Sequence, residues 1–277
     1  MISNAQSLKD KAKNIAEYKG VTIQDVIQNY MFERILERLS VSLYKNNFIL
    51  KGGILLSSII GIDTRTTVDI DTCLKGMKLE EEKLHLILDN ILSIDLNDNV
   101  IFKLLNTTPI REKDEYNGLK FKILGLFDGL RVHISIDIAT GDIITPKEIL
   151  YKYKLLFENR SIELMAYNIE TIIAEKFQTV IVREVLNNRM KDYYDLYYLI
   201  TYKRDNLSNE VLKKAIKTTF MKRDTKISDV SNVLDKIRKS DFLQELWQSY
   251  SKSNEFANGI KYQDIMEMLS ILEILIS

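Results

Sequence analysis

The chain has 277 residues, 45% hydrophobic and 28% charged, which is ordinary for a folded globular protein and enough to bury one or two substantial cores. Its 39 basic and 39 acidic side chains give a formal net charge of zero, so no global electrostatic argument for a nucleic-acid partner can be made. A single cysteine, Cys73, excludes an internal disulfide; with only His85 and His133 a Cys/His zinc site is excluded too, and two prolines, Pro109 and Pro146, argue against long disordered linkers.

The opening stretch, "MISNAQSLKDKAKNI", lacks the apolar run of a signal peptide, so the expected location is the cytoplasm. Residues 7–46 read as two helices broken at "YKGVT", the second placing Val26, Tyr30, Ile35 and Leu39 at helical spacing. A short apolar piece, "NFIL", leads to Gly52 and Gly53, and "ILLSSII" reads as a short helix. After the "GIDTRTT" loop comes the strand "VDIDTCL", then a crossover helix around "EEEKLHLILDNIL". Three strands follow, "VIFKLLN", "LKFKILGLF" and "RVHISIDIA". In the last, Val132, Ile134, Ile136 and Ile138 alternate with Arg131, His133, Ser135 and Asp137. "YKYKLLF" and "SIELMA" read as edge strands.

From Asn168, a suitable N-cap, the pattern is helical to the end. The apolar tail "IMEMLSILEILIS" is broken by Glu267 and Glu273 and reads as an amphipathic packing helix; no uncharged stretch reaches the roughly 18 residues of a membrane span. The expected organisation is α+β, with N-terminal helices and an α/β core built on a mixed sheet over residues 1–165 and a helical bundle over 166–277. Residues 201–240 hold eleven Lys or Arg against five Asp or Glu, a local excess that suggests an anionic partner or else a solvated helical face.

Chemistry concentrates around "TVDIDTCL". On a strand, residues i and i+2 share a face, so Asp69 and Asp71 project together while Val68 and Ile70 are expected in the core. Adjacent carboxylates repel unless a cation lies between them. A divalent ion such as Mg²⁺ or Mn²⁺, held jointly by carboxylates and substrate phosphates, suits that position. Asp137, a carboxylate on the polar face of an otherwise apolar strand, joins them if the two strands are neighbours. Gly52 and Gly53 lack a Cβ, so phosphate oxygens could approach the backbone there and face the N-terminus of the "ILLSSII" helix. Acids, glycine pair and helix together form an arrangement for handling an NTP. Arg65 either clamps a phosphate or locks its own loop.

Glycine pair, short helix, D-x-D strand and a third acid on a later strand form the pattern of the DNA polymerase β-like nucleotidyltransferase superfamily. More narrowly, "ERILERLS", "NFILKGGILL", "RTTVDID", "IAEKFQTV" and "RMKDYYDLYYL" resemble the AbiEii/AbiGii toxin family, in the right order over roughly residues 10–200. The resemblance implies the toxin half of a toxin–antitoxin or abortive phage infection system, with a cognate antitoxin encoded nearby. It also implies NTP as substrate and an RNA acceptor, the tRNA 3′ end. It makes Asp69, Asp71 and Asp137 the metal-binding acids, Gly52 and Gly53 the nucleotide-binding turn, Lys176 a catalytic lysine and Asp192 a catalytic aspartate. Two features depart from the superfamily pattern: Gly53 stands where a serine is frequent, and the fifteen residues between Gly53 and Asp69 are slightly more than usual.

Read without the family, the helical motifs stay open. Lys176 interrupts the apolar run "IIAEKF" and either meets a triphosphate or reaches solvent beside Glu175. Asp192 and Asp195, at i and i+3 with Arg189 and Lys191 close by, also suit a structural ion-pair network. Tyr193, Tyr194, Tyr197 and Tyr198 either stack RNA bases or pack the bundle. Alternatives to RNA transfer are a small-molecule or protein side-chain acceptor, or a non-catalytic nucleotide-binding interaction module.

Overall fold

Local signals place the first two helices. Helix α1 (Ala5–Lys19) starts where the Asn4 side chain accepts the Ser7 N–H and ends at Gly20, whose φ of 65° suits a residue without a Cβ. Helix α2 (Ile23–Val41) opens with a reciprocal capping box between Thr22 and Asp25. Val26, Tyr30, Ile35 and Leu39 are buried as their spacing predicts, and so are Arg34 and Arg38. Arg38 is tolerated there because its guanidinium donates to both Asp98 carboxylate oxygens, at 2.7 and 2.8 Å.

The computed structural model describes residues 2–63, 66–110 and 118–277. They fall into two units, one of residues 1–142 and 148–166, the other of 143–147 and 167–277.

The first unit carries a seven-stranded sheet among the described residues. Its strands are β1 (Phe48–Lys51), β2 (Asp69–Leu74), β3 (Ile101–Ile110), β4 (Gly118–Phe127), β5 (Leu130–Thr140), β6 (Ile149–Lys154) and β7 (Ser161–Ala166), in the order β3-β4-β5-β2-β1-β7-β6. Parallel pairs β2–β5 and β1–β7 stand among antiparallel ones, so the sheet is mixed, as expected. Helix α3 (Gly52–Ile60) follows β1 directly, and α4 (Glu81–Leu92) leads on from β2 towards β3. Ile70, Phe121, Ile134, Ile136 and Ile138 are buried on one sheet face, and the His85 ring of α4 lies edge-on to Phe121 at 5.3 Å. The strands β4 and β5 join through Asp128 and Gly129, both at positive φ, the two-residue turn that matches strand twist.

Two expectations need correction. The "SIELMA" strand, β7, is not an edge: it lies between β1 and β6, and its alternating Ile162, Leu164 and Ala166 are buried accordingly. Val68 is not a core residue; it sits at a bend just before β2 and is 72% exposed, so the inward alternation begins at Ile70.

The second unit is helical: α5 (Ile169–Arg183), α6 (Met190–Tyr202), α7 (Asn209–Lys222), α8 (Val230–Arg238), α9 (Asp241–Ser253) and α10 (Tyr262–Ile276). Asn168 caps α5 through Thr171 N–H, as its position predicts, and its amide nitrogen donates to the Thr145 carbonyl, tying residues 143–147 into this unit. Helix α10 buries Ile265, Met266, Leu269 and Leu272, the amphipathic packing helix read from the tail. Among the described residues no helix is long and apolar enough to cross a membrane.

Candidate active site

Strand register assembles a row of charge across the sheet. Lys51 of β1 pairs with Asp71 of β2, Asp71 with Asp137 of β5, and Asp137 with Lys120 of β4. Directly paired residues share a face, so these four side chains lie on the face opposite the Ile70 and Ile136 core. Asp69, two residues along β2, joins them one row away. The structure thus brings Asp69, Asp71 and Asp137 together at the start of α3, where Gly52 and Gly53 also lie.

Each acid has a distinct setting. Asp71 turns towards the glycine pair, and its Oδ2 accepts the Gly53 N–H at 3.1 Å. Gly52, at φ 62°, is needed for more than backbone freedom: a Cβ there would lie 2.1 Å from Asp71 Oδ2. The space expected to admit phosphate at Gly52 is therefore occupied by the Asp71 carboxylate, which also takes one of the α3 amides. Asp69 Oδ2 and Asp137 Oδ1 share the Lys120 ammonium, at 3.2 and 3.1 Å. Burial raises the Asp137 carboxyl to about 6; Lys120 opposes that shift, while Asp71 and Asp69 add to it. Burial lowers the Lys120 ammonium, but its hydrogen bonds and charge contacts with Asp137 and Asp69 outweigh this and hold it above the ordinary lysine range. Lys51 Nζ pairs with Asp142, so this cation is also engaged beside the glycine turn.

Hard carboxylate oxygens suit Mg²⁺ or Mn²⁺, and Asp137 Oδ1, buried, has the Lys120 ammonium beside it at 3.1 Å. Among the described residues, however, no group of three or more His, Cys, Asp or Glu side chains forms a ready ion cage. Mg²⁺ is commonly held by one or two carboxylates together with substrate phosphates and waters rather than by such a cage. The donor set fits that mode of binding.

A second cluster belongs to the helical unit. Lys176 of α5 is mostly covered and does not pair with Glu175. Its Nζ lies 2.6 Å from Asp192 and 2.8 Å from Asp195 on α6, while Glu175 pairs with Arg223. Arg189 contacts the other Asp192 oxygen at 3.0 Å, so the ion-pair network read from the i, i+3 spacing is present. Burial pulls the Lys176 ammonium down, but Asp195 and Asp192 outweigh it and hold the group above the ordinary lysine range. Tyr193 and Tyr194 are buried in the bundle, which removes them as base-stacking platforms, while Tyr197 and Tyr198 are partly exposed. Arg65 lies outside the described residues.

Lys120 is not legible from motifs, yet two signals point to it. It stands on the polar face of "LKFKILGLF", and the Asp128–Gly129 turn pairs Phe127 with Leu130, which steps back along the hairpin to Lys120 opposite Asp137. Asp195 carries a signal too, its spacing from Asp192.

A family model described as nucleotidyl transferase AbiEii toxin, type IV TA system, matches residues 34–268. Among solved structures, the chain is similar to a Helicobacter pylori protein described as a nucleotidyltransferase, at 13% identity and a TM-score of 0.50, with 92% of this chain and 97% of that chain covered. It is also similar to JHP933 from Helicobacter pylori, at 13% identity and a TM-score of 0.51, covering 92% and 94% of the two chains. At such identity these likenesses show the fold alone. No curated protein matches.

Proposed function

Since the chain belongs to the AbiEii nucleotidyltransferase toxin family of type IV toxin–antitoxin systems, we propose that it transfers NMP from an NTP to an RNA 3′ end, that of tRNA, in the cytoplasm and with Mg²⁺ or Mn²⁺. The observation that carries this reading is the convergence of Asp69, Asp71 and Asp137 on one sheet face beside the glycine turn that starts α3. A bound divalent cation would offset the charge of the triphosphate and of the attacking oxygen.

The protein's own part is positioning and proton handling. Asp69 and Asp71 would hold the cation. Asp137 completes the donor set or takes the proton of the attacking 3′ hydroxyl, a task suited to a carboxyl that burial has raised to about 6. The hydroxyl oxygen forms a bond to the α-phosphorus as the α–β phosphoanhydride bond breaks, and pyrophosphate leaves. In the helical unit Lys176 keeps the catalytic role that the family resemblance gives it, its ammonium held charged by Asp192 and Asp195. Asp192 positions that lysine.

The test is incubation of the purified protein with total RNA and each α-labelled NTP in turn. Label in tRNA supports the reading. Label in the protein band would favour a side-chain acceptor, and no transfer with any NTP would favour a non-catalytic module.

A further inference from the structure

The position that a cation would take between Asp69 and Asp137 is held by Lys120. Its Cα is in register with Asp137, and its side chain leans towards β2, so that one ammonium spans carboxylates from two strands at 3.1 and 3.2 Å. Both contacts are longer than the 2.7–2.9 Å usual for N⁺–H···O⁻ pairs, whereas the Lys176 contacts are 2.6 and 2.8 Å. Lys120 is also the more exposed lysine, at 29% against 14%. A loosely held, partly exposed ammonium between two carboxylates can withdraw to solvent. A divalent ion entering the same gap either displaces it or tolerates a like charge about 3 Å away, which is unfavourable.

We propose that Lys120 is a built-in counter-ion of the acidic cluster, which a divalent cation must displace, so that the site stays closed in charge until the cation enters. The inference rests on the metal-dependent reading above and adds a competitor to it. It also gives a reason why the described residues form no ready ion cage: Asp69 and Asp137 stand around an ammonium.

The experiment measures Mn²⁺ binding by calorimetry to the full chain and to Lys120→Met, Lys120→Gln and Lys120→Arg, without nucleotide. Both neutral variants should bind Mn²⁺ at least about tenfold more tightly than the unaltered chain, or about 1.4 kcal/mol, and Lys120→Arg should bind as the unaltered chain does. Saturating Mn²⁺ should also raise the melting temperature of the neutral variants further than that of the unaltered chain. Two neutral variants are used so that misfolding of one leaves the comparison intact. Equal or weaker Mn²⁺ affinity in folded neutral variants overturns the proposal. If the unaltered chain binds Mn²⁺ in that case and Asp69→Asn does not, the metal reading survives alone. If no folded form binds Mn²⁺, both fail.

Discussion

One lysine and two aspartates occur together twice among the described residues, and the two groups differ chiefly in burial. In the sheet unit, Lys120 bridges Asp69 and Asp137 on an accessible face, with Asp71 alongside and both distances beyond 3 Å. In the helical unit, Lys176 lies between Asp192 and Asp195, whose side chains are 4% and 0% exposed, at 2.6 and 2.8 Å. In water-rich surroundings an ion pair is weak and exchangeable; in a dry interior each charge depends on its partner. The same three groups therefore make an adaptable site in one place and a fixed strut in the other. What separates them is the element each occupies, a sheet face bordering a turn against an interface between packed helices.

The largest expected effect tests the strut. Lys176→Met removes the ammonium shared by two buried carboxylates and should cost about 3 kcal/mol, read by urea unfolding followed through the single tryptophan, buried Trp247 on α9. Transfer activity should fall with it. Lys120→Met should cost only about 1 kcal/mol by the same measurement. Equal losses would erase the distinction drawn between the clusters.

Burial rather than membership of one unit sets this behaviour, and Glu33 on α2 offers a check. Desolvation raises its carboxyl to about 8, opposed by the Leu156 N–H, the Arg34 charge and the Asn29 amide. An acid whose folded pKa lies above its unfolded value binds more protons when folded, so stability is greatest at low pH and falls as pH rises between about 4.5 and 8. The fall should be on the order of 5 kcal/mol in urea titrations across that window, and Glu33→Gln should flatten it. An unchanged slope in Glu33→Gln would remove burial as the common cause.

How far the sequence carries these conclusions varies by feature. The alternation of "RVHISIDIA" assigns Asp137 to the polar face and Ile136 to the core because side-chain direction on a strand is a local property. The capping of α5 by Asn168 is equally local. Sheet order is not, since the parallel pairings of β2 with β5 and β1 with β7 join segments far apart in the chain, and no short pattern encodes them. That is why β7 reads as an edge from sequence and lies inside the sheet. The burial of Lys176 and the Asp71 carboxylate beside Gly52 depend on tertiary placement in the same way. Asp71 also explains why a simple alanine scan would mislead there. Removing its hydrogen bond with the Gly53 N–H should cost about 1 kcal/mol of helix-start stability on top of any loss of activity.

The smallest effect on stability is expected at the cationic stretch of α7. Lys214 and Lys217 are exposed, while Lys213 is partly covered. Replacing Lys214 and Lys217 with Gln should leave the melting temperature unchanged yet weaken RNA binding, lowering the salt slope by roughly 0.7 for each phosphate that is no longer neutralised. Binding unchanged at every salt concentration would make this a solvated face only.

Asp69 offers the most direct test, because its carboxylate meets Lys120 rather than the glycine turn. The measurement is transfer of α-labelled NMP to RNA by Asp69→Asn beside the unaltered chain, with the melting temperature recorded for both. Labelled RNA is expected from the unaltered chain, at least about a hundredfold less from Asp69→Asn, with closely similar melting temperatures. Transfer by folded Asp69→Asn at the rate of the unaltered chain would contradict the assignment of the acidic face as the active site.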